Sequence, residues 1–191
     1  MKNIEMPQKI LDIAEELVTK NGFSATSYKQ ISEIIGIKTS SIHYYFPSKT
    51  DLGEQLIARY YDVLVWTVQE IDALPHSCQD KLAELINTIF KITYHNQRRM
   101  CLAGMLSIDT LIMDPKINVQ TRRVFELLEK WLARQIQAGI DGKEFNYKEP
   151  PKQLAQMIIA MIEGTLLLSR LFDREAMINN VNQFIKGVTR C

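Results

Sequence analysis

Apolar residues along this 191-residue chain recur at helical spacing from one end to the other. Ile10, Leu11, Ala14, Leu17 and Val18 form a first stripe. Pro7 suits the opening position of that helix, and Asn21-Gly22 supplies its stop. Ser27 and Gln30 have capping-box spacing, so a second helix starts at Tyr28 and turns Ile31, Ile34 and Ile35 inward. Gly36 permits the positive φ of a tight turn, and Ile37 follows as an apolar plug. A third helix spans Thr39 to Phe46, with Ile42 and Phe46 facing the core, and Pro47 ends it. Ser48 and Asp51 open a fourth, from about Lys49 to about Asp72, carrying Leu52, Leu56, Tyr60 and Leu64 at i, i+4 spacing.

The same reading continues to the C-terminus. Leu74-Pro75-His76-Ser77 is a break, and Ser77 with Asp80 starts a fifth helix that ends near Asn96. Met100 to Ile112 reads as a shorter sixth helix. Asp114-Pro115 caps a seventh that buries Val124, Leu127, Leu128, Trp131 and Ile136 and closes at Gly139. Pro151 to Leu171 is an eighth, with more apolar surface than a one-sided helix needs. Asp173 caps a ninth, carrying Met177, Ile178, Val181, Phe184, Ile185 and Val188. No strand-like alternation, repeat or low-complexity run interrupts this. The fold class is all-α with about nine helices. The first six residues read as a short arm.

Composition narrows the class without changing it. Hydrophobic residues make up 46% and charged residues 24%, as in a globular protein that buries a core without disulfides. The net charge is +1, and the first sixty residues hold seven Lys or Arg against seven Asp or Glu. A general nucleic-acid coat is thereby disfavoured; a reader with its cations on one face is not. Cys78, Cys101 and Cys191 are odd in number and lack metal-ligand spacing, which suits a reducing cytoplasm. No apolar signal segment or membrane-length run is present. No G-x-S-x-G, P-loop or H-E-x-x-H occurs, and His43, His76 and His95 are scattered, so no enzyme chemistry, metal or cofactor is implied.

The chemistry concentrates in residues 27–46. Two short helices meet at Gly36, and the second presents hydroxyls, an imidazole and two phenols, side chains suited to base edges and phosphates. On spacing alone, a surface αα-corner satisfies the same pattern equally well.

The segment resembles the N-terminal domain of the TetR/AcrR family of bacterial transcriptional regulators. The matching residues are Asn21-Gly22-Phe23, Ile31, Gly36, Ile37, Ile42, the run Tyr44-Tyr45-Phe46-Pro47-Ser48-Lys49, and Leu52. They cover about the first third of the chain. Ser32 replaces the family's usual Ala, Lys38 its usual Ser cap, Ser40 a frequent Gly and His43 a usual Tyr. The resemblance implies a DNA-binding domain over residues 4–64 and a regulatory and dimerisation domain over residues 65–191. It implies DNA contacts from Ser27, Tyr28 and Lys29 at the start of the second helix. Lys38, Thr39, Ser40, Ser41, His43, Tyr44 and Tyr45 supply the recognition helix, and Lys49 a phosphate contact.

It further implies a homodimer paired through helices 8 and 9 (about 151–188), a palindromic operator, and an effector pocket among helices 4 to 8. Candidate lining residues are Tyr61, Trp66, Phe90 and Tyr94, then Met105, Trp131 and Met161, each of which also reads as ordinary core. That set suits an apolar or aromatic molecule. Cys101, in Met100-Cys101-Leu102-Ala103-Gly104-Met105-Leu106, resembles the Cys-Leu segment of a subgroup that includes sensors of electrophiles, with Arg98 and Arg99 nearby to lower its pKa; a buried inert thiol is the plainer alternative. The functional expectation is a ligand-responsive transcriptional repressor. The alternatives are a regulator without a small-molecule effector, or an all-α protein-interaction module.

Overall fold

The computed structural model describes residues 5–94 and 100–188. Among these it holds nine helices: α1 (Met6–Asn21), α2 (Tyr28–Ile35), α3 (Thr39–Tyr45), α4 (Lys49–Ala73), α5 (Cys78–Tyr94), α6 (Leu102–Ile108), α7 (Pro115–Asp141), α8 (Pro151–Leu168) and α9 (Arg174–Val188). No strand occurs among the described residues. The chain divides into two compact units, Met1–Asp62 with Met100–Arg123, and Val63–Arg99 with Val124–Cys191.

In the first unit α1 packs on α2 and α6, and α2 packs on α3. Ile10, Ala14 and Val18 of α1, Ile31, Ile42 and Leu56 are fully buried beside Phe23 and Phe46. Each fully buried Ile or Leu contributes roughly 1.5–3 kcal/mol. Ile34 is not part of this core: it stands 57% exposed. Gly36 takes the left-handed conformation (φ 80°, ψ 35°), and the Gly36 and Ile37 N–H groups both donate to the Ser32 carbonyl. That closes α2 and aims the chain into α3.

Residues 100–123 are held to the first three helices by specific contacts. Met100 N–H donates to the Thr19 carbonyl at 3.0 Å. One Asp109 oxygen accepts both the Ser24 N–H (3.0 Å) and its hydroxyl (2.8 Å). A Cβ on Gly53 of α4 would lie 2.6 Å from Ile117 Cδ1 and 2.9 Å from Phe23 Cζ, so a bare backbone is what lets these side chains meet there. Arg59 of α4 pairs with Asp12 and Glu15 of α1.

The second unit packs α9 against α5 and α8 around Leu82, Leu85, Ile86, Ile158, Ile162 and Leu166. Asp72, near the end of α4, gathers four donors. Its carboxylate accepts Trp131 Nε1–H (3.1 Å), Gln135 Nε2–H (2.8 Å) and Arg134, and its carbonyl accepts Lys81 Nζ–H (3.0 Å).

Several element ends differ from the sequence expectation. The sixth helix is Leu102–Ile108 and does not reach Ile112, because Ile112 and Met113 N–H bond back to Asp109 O in a turn and leave Leu111 98% exposed. The eighth stops at Leu168, not Leu171, where buried Ser169 returns its hydroxyl to the Leu166 carbonyl. Gly139 does not end the seventh, which runs to Asp141. Its missing side chain instead seats the Phe145 ring, whose atoms would stand 2.3 Å from a Cβ there. The expected end of the fifth helix near Asn96 lies outside the described residues, as do His95, Arg98, Arg99 and Cys191.

Candidate nucleic-acid interface

The second helix begins with a reciprocal cap. Gln30 N–H donates to Ser27 Oγ (3.3 Å), and Ser27 N–H and hydroxyl donate to Gln30 Oε1 (2.8 and 3.0 Å). The Ser27 hydroxyl is therefore engaged at the start of α2. Tyr28, next along, turns its phenol to the α3–α4 turn, where the O–H faces the carbonyls of Phe46 (2.8 Å) and Ser48. Partial burial, reinforced by the Asp51 charge, pushes this phenol up to about 12, so it stays a neutral donor. Lys29 points out, its side chain 81% exposed and 4.0 Å from Glu33 one turn on.

The third helix is placed by buried Ile42 and by Phe46 just past its end. Lys38 occupies its cap with no side-chain capping bond. Ser32 is buried at the α2–α3 crossing and satisfied there: its hydroxyl donates to the Lys29 carbonyl (2.8 Å) and meets Thr39 Oγ1 at 3.1 Å. Because Ser32 has spent its hydrogen on Lys29, Thr39 donates the bond between them. Thr39 is thus also tied inward, while Ser41 is half-buried.

The exposed side chains of this segment are Lys38, Ser40, His43, Tyr44 and Tyr45. Tyr44 is 81% exposed and stands edge-on to Tyr45, ring centroids 5.0 Å apart. The His43 ring packs edge-to-face on Tyr28 at 4.7 Å, with Nδ1 at 3.2 Å from the Pro47 carbonyl.

Lys49 does not extend into solvent. Its Nζ donates to the Ser24 carbonyl (3.1 Å) and lies 4.8 Å from the centre of the Phe23 ring. Burial lowers its pKa, and nearby Asp109 works in the opposite direction. Ser24, Ser32 and Asp109 are the residues the sequence did not single out. Ser24 and Asp109 are 85 positions apart, so no local pattern announces their bond; Ser32 was visible only as a departure from a usual Ala.

The residues proposed for an effector fall in both units. In the first, half-buried Tyr61 stacks under the Arg123 guanidinium at 5.1 Å, Met105 is buried, and buried Cys101 has its Sγ 3.3 Å from the Tyr60 hydroxyl. In the second, Phe90 and Trp131 are buried and Trp66 is 61% exposed. Met161 lines a pocket of about 270 Å³ between α8 and α9, with Gly164, Thr165, Leu168, Met177, Asn180 and Val181. The Tyr94 side chain is outside the described residues. No helix among them is long and apolar enough to cross a membrane.

Residues 10–56 match the family model for bacterial regulatory proteins of the tetR family, and residues 80–185 match the tetracyclin repressor-like C-terminal domain. A TetR transcriptional regulator of Legionella pneumophila has a solved structure that superimposes with a TM-score of 0.91 at 34% identity, covering 100% of both chains. An HTH-type transcriptional regulator encoded in the lacX 3' region of Lactococcus lactis is 26% identical over 170 residues, 86% of this chain and 83% of that one. The HTH-type transcriptional repressor KstR2 of Rhodococcus jostii is 28% identical over 137 residues, 72% of this chain and 66% of that one. With two family domains matched in order and a full-length structural relative at 34% identity, the chain belongs to the TetR/AcrR family of DNA-binding transcriptional regulators.

Proposed function

We propose that this regulator is a repressor that holds a palindromic operator as a homodimer and leaves it when a small molecule binds. The open face of α2 and α3 carries the DNA half of the reading. Lys29, Lys38, Ser40 and Tyr44 project from two helices whose opposite sides are anchored by Ile31 and Ile42. Lys29 and Lys38 suit phosphates or guanine edges, and the hydroxyls suit base edges. Dimerisation follows from α8, α9 and the turn between them. Met157, Leu167, Leu168, Leu171 and Phe172 stand 42–82% exposed, apolar area that a second copy would remove from water. Two recognition helices then sit about one duplex turn apart, roughly 34 Å.

The effector of this reading is apolar or aromatic, as the Met and aromatic residues near α4 to α8 suggest. Differential affinity of that molecule for the DNA-bound and released forms sets the coupling, with the unbroken α4 as the connector. A second version has an electrophile as effector. Cys101 stands 3.3 Å from the Tyr60 hydroxyl, and alkylation there would displace that contact. Wild type would then lose DNA on alkylation and Cys101→Ser would not; equal release from both ends this version.

The deciding experiment is a selection from random duplexes with excess competitor at near-physiological salt, followed by sedimentation of the complex. A palindrome bound by one dimer supports the proposal. Enrichment of no sequence would sink it. A Leu168→Glu, Leu171→Glu double variant should sediment as a monomer and lose the palindrome; a variant that stays dimeric removes α8 and α9 from the interface.

A further inference from the structure

The bonds around His43 fix more than its position. The Pro47 carbonyl can only accept, so His43 Nδ1 carries the hydrogen in their 3.2 Å bond. In the neutral ring Nε2 is then a lone pair. The ring plane is held by the edge of Tyr28 at 4.7 Å. The Tyr28 phenol in turn faces the carbonyls on either side of Pro47, those of Phe46 and Ser48. The two edge-on rings thus direct their two hydrogens at three consecutive carbonyls of the α3–α4 turn. His43 remains exposed, and no bond from Nε2 to another described residue is present.

We infer that His43 is a specificity-determining residue whose Nε2 accepts a hydrogen bond from an exocyclic amine, adenine N6 or cytosine N4, in the major groove. This rests on the operator-binding reading above. A phosphate oxygen has no hydrogen to give, so a lone pair held in this tautomer cannot bond it. In the major groove the donors are the adenine 6-amino and cytosine 4-amino groups; guanine presents acceptors and thymine an acceptor and a methyl. The other exposed groups of the recognition helix do not make this choice. Ser40, Tyr44 and Tyr45 hydroxyls both donate and accept, and Lys38 only donates. His43 alone among them is set by its neighbours as an acceptor.

The test uses the full-length protein at pH 8. Wild type and His43→Ala are each taken through the random-duplex selection. The wild-type consensus should hold one fixed base pair in each half-site, whose adenine or cytosine carries the amine, and His43→Ala should lose that preference while keeping the rest. At that position, purine replacing adenine, or 2-pyrimidinone replacing cytosine, removes only the amine. Wild-type affinity should fall about 3- to 10-fold with the analogue, the range for one net hydrogen bond. His43→Ala should not distinguish analogue from natural base. The DNA-side deletion is read on unaltered protein, so poor folding of the variant cannot imitate it.

Two results overturn the inference. One is a His43→Ala variant that keeps the whole consensus and binds every sequence equally more weakly, the signature of a phosphate contact. The other is a wild type that binds the analogue and the natural base alike. A wild type that enriches no sequence at all overturns the operator reading and this inference together, and is distinguished by failing before any variant is compared.

Discussion

Replacing Asp72 by Ala separates two accounts of what holds the end of α4 to α7. The carboxylate accepts from Trp131 and Gln135, which are 3% and 6% exposed, and from Arg134, whose side chain is 60% exposed. Removing it leaves two buried donors without this acceptor, at roughly 1–3 kcal/mol each. The Asp72 side chain is itself 31% exposed, so water can reach part of the vacated space and the low end applies. The exposed Arg134 pair adds at most about 0.5 kcal/mol. The expected loss for Asp72→Ala is therefore about 2–3 kcal/mol, or about 4–12 °C in Tm for a chain of this size. Asp72→Asn keeps a carbonyl for the indole and amide and should lose only about 0.5–1 kcal/mol. The assay is equilibrium urea unfolding at one fixed protein concentration, followed by circular dichroism and tryptophan fluorescence together. Equal losses from the two variants would refute the hydrogen-bond account in favour of charge, and a loss below about 0.5 kcal/mol from Ala would refute both.

Three further outcomes follow from the head of the molecule. Tyr28→Phe removes a hydroxyl that faces two carbonyls, so stability should fall by about 0.5–1.5 kcal/mol. DNA affinity should fall with it at unchanged salt slope, since no charge is lost; a variant equal to wild type in both would mean the phenol positions nothing. Lys38→Ser supplies α3 with the cap it lacks and removes a cation from a helix N-terminus, so urea unfolding should give about 1 kcal/mol more stability; a less stable variant contradicts this. Asp51 is held below the usual carboxylate range, chiefly by the Ser48 hydroxyl and then its N–H. A lowered folded pKa means the unfolded chain binds more protons near pH 4. The Asp51 contribution is thus present above about pH 4 and disappears as pH falls through the lower folded value. The urea midpoints of wild type and Asp51→Asn should differ at pH 7 and converge toward pH 3; a gap independent of pH would contradict the assignment.

What was legible in the sequence was local. Ser27 with Gln30, Ser48 with Asp51, and Ser77 with Asp80 sit three residues apart, and each pair forms its bonds within that span. Gly36 announces its own φ. The ends of α6 and α8 are hidden in the sequence because apolar letters continue past them: Leu111, Ile112 and Leu171 extend the stripe but stand in turns exposed to solvent. Gly139 has the local signature of a helix stop, whereas its use here is set by Phe145 folding back onto it. In the candidate interface, residue types and helix placement were visible. Which hydroxyls are already engaged was not. Thr39 is committed to Ser32, and Lys49 to a carbonyl 25 positions away.

The inward turn of Lys49 bears on how the protein would search a chromosome. With Lys49 on Ser24, and Arg59 paired to Asp12 and Glu15, the exposed cations on α2 and at the start of α3 are Lys29 and Lys38. Each phosphate neutralised releases about 0.9 of a condensed counterion, so a dimer using two cations per subunit would lose affinity with a log–log salt slope of only about −3 to −4. Ion release then gives it only a weak grip on duplex of arbitrary sequence. Such a protein dissociates quickly from the wrong site and samples the genome by repeated collisions more than by long sliding runs. Its occupancy of the right site is set by hydrogen bonds and shape, terms that potassium in the cell hardly moves.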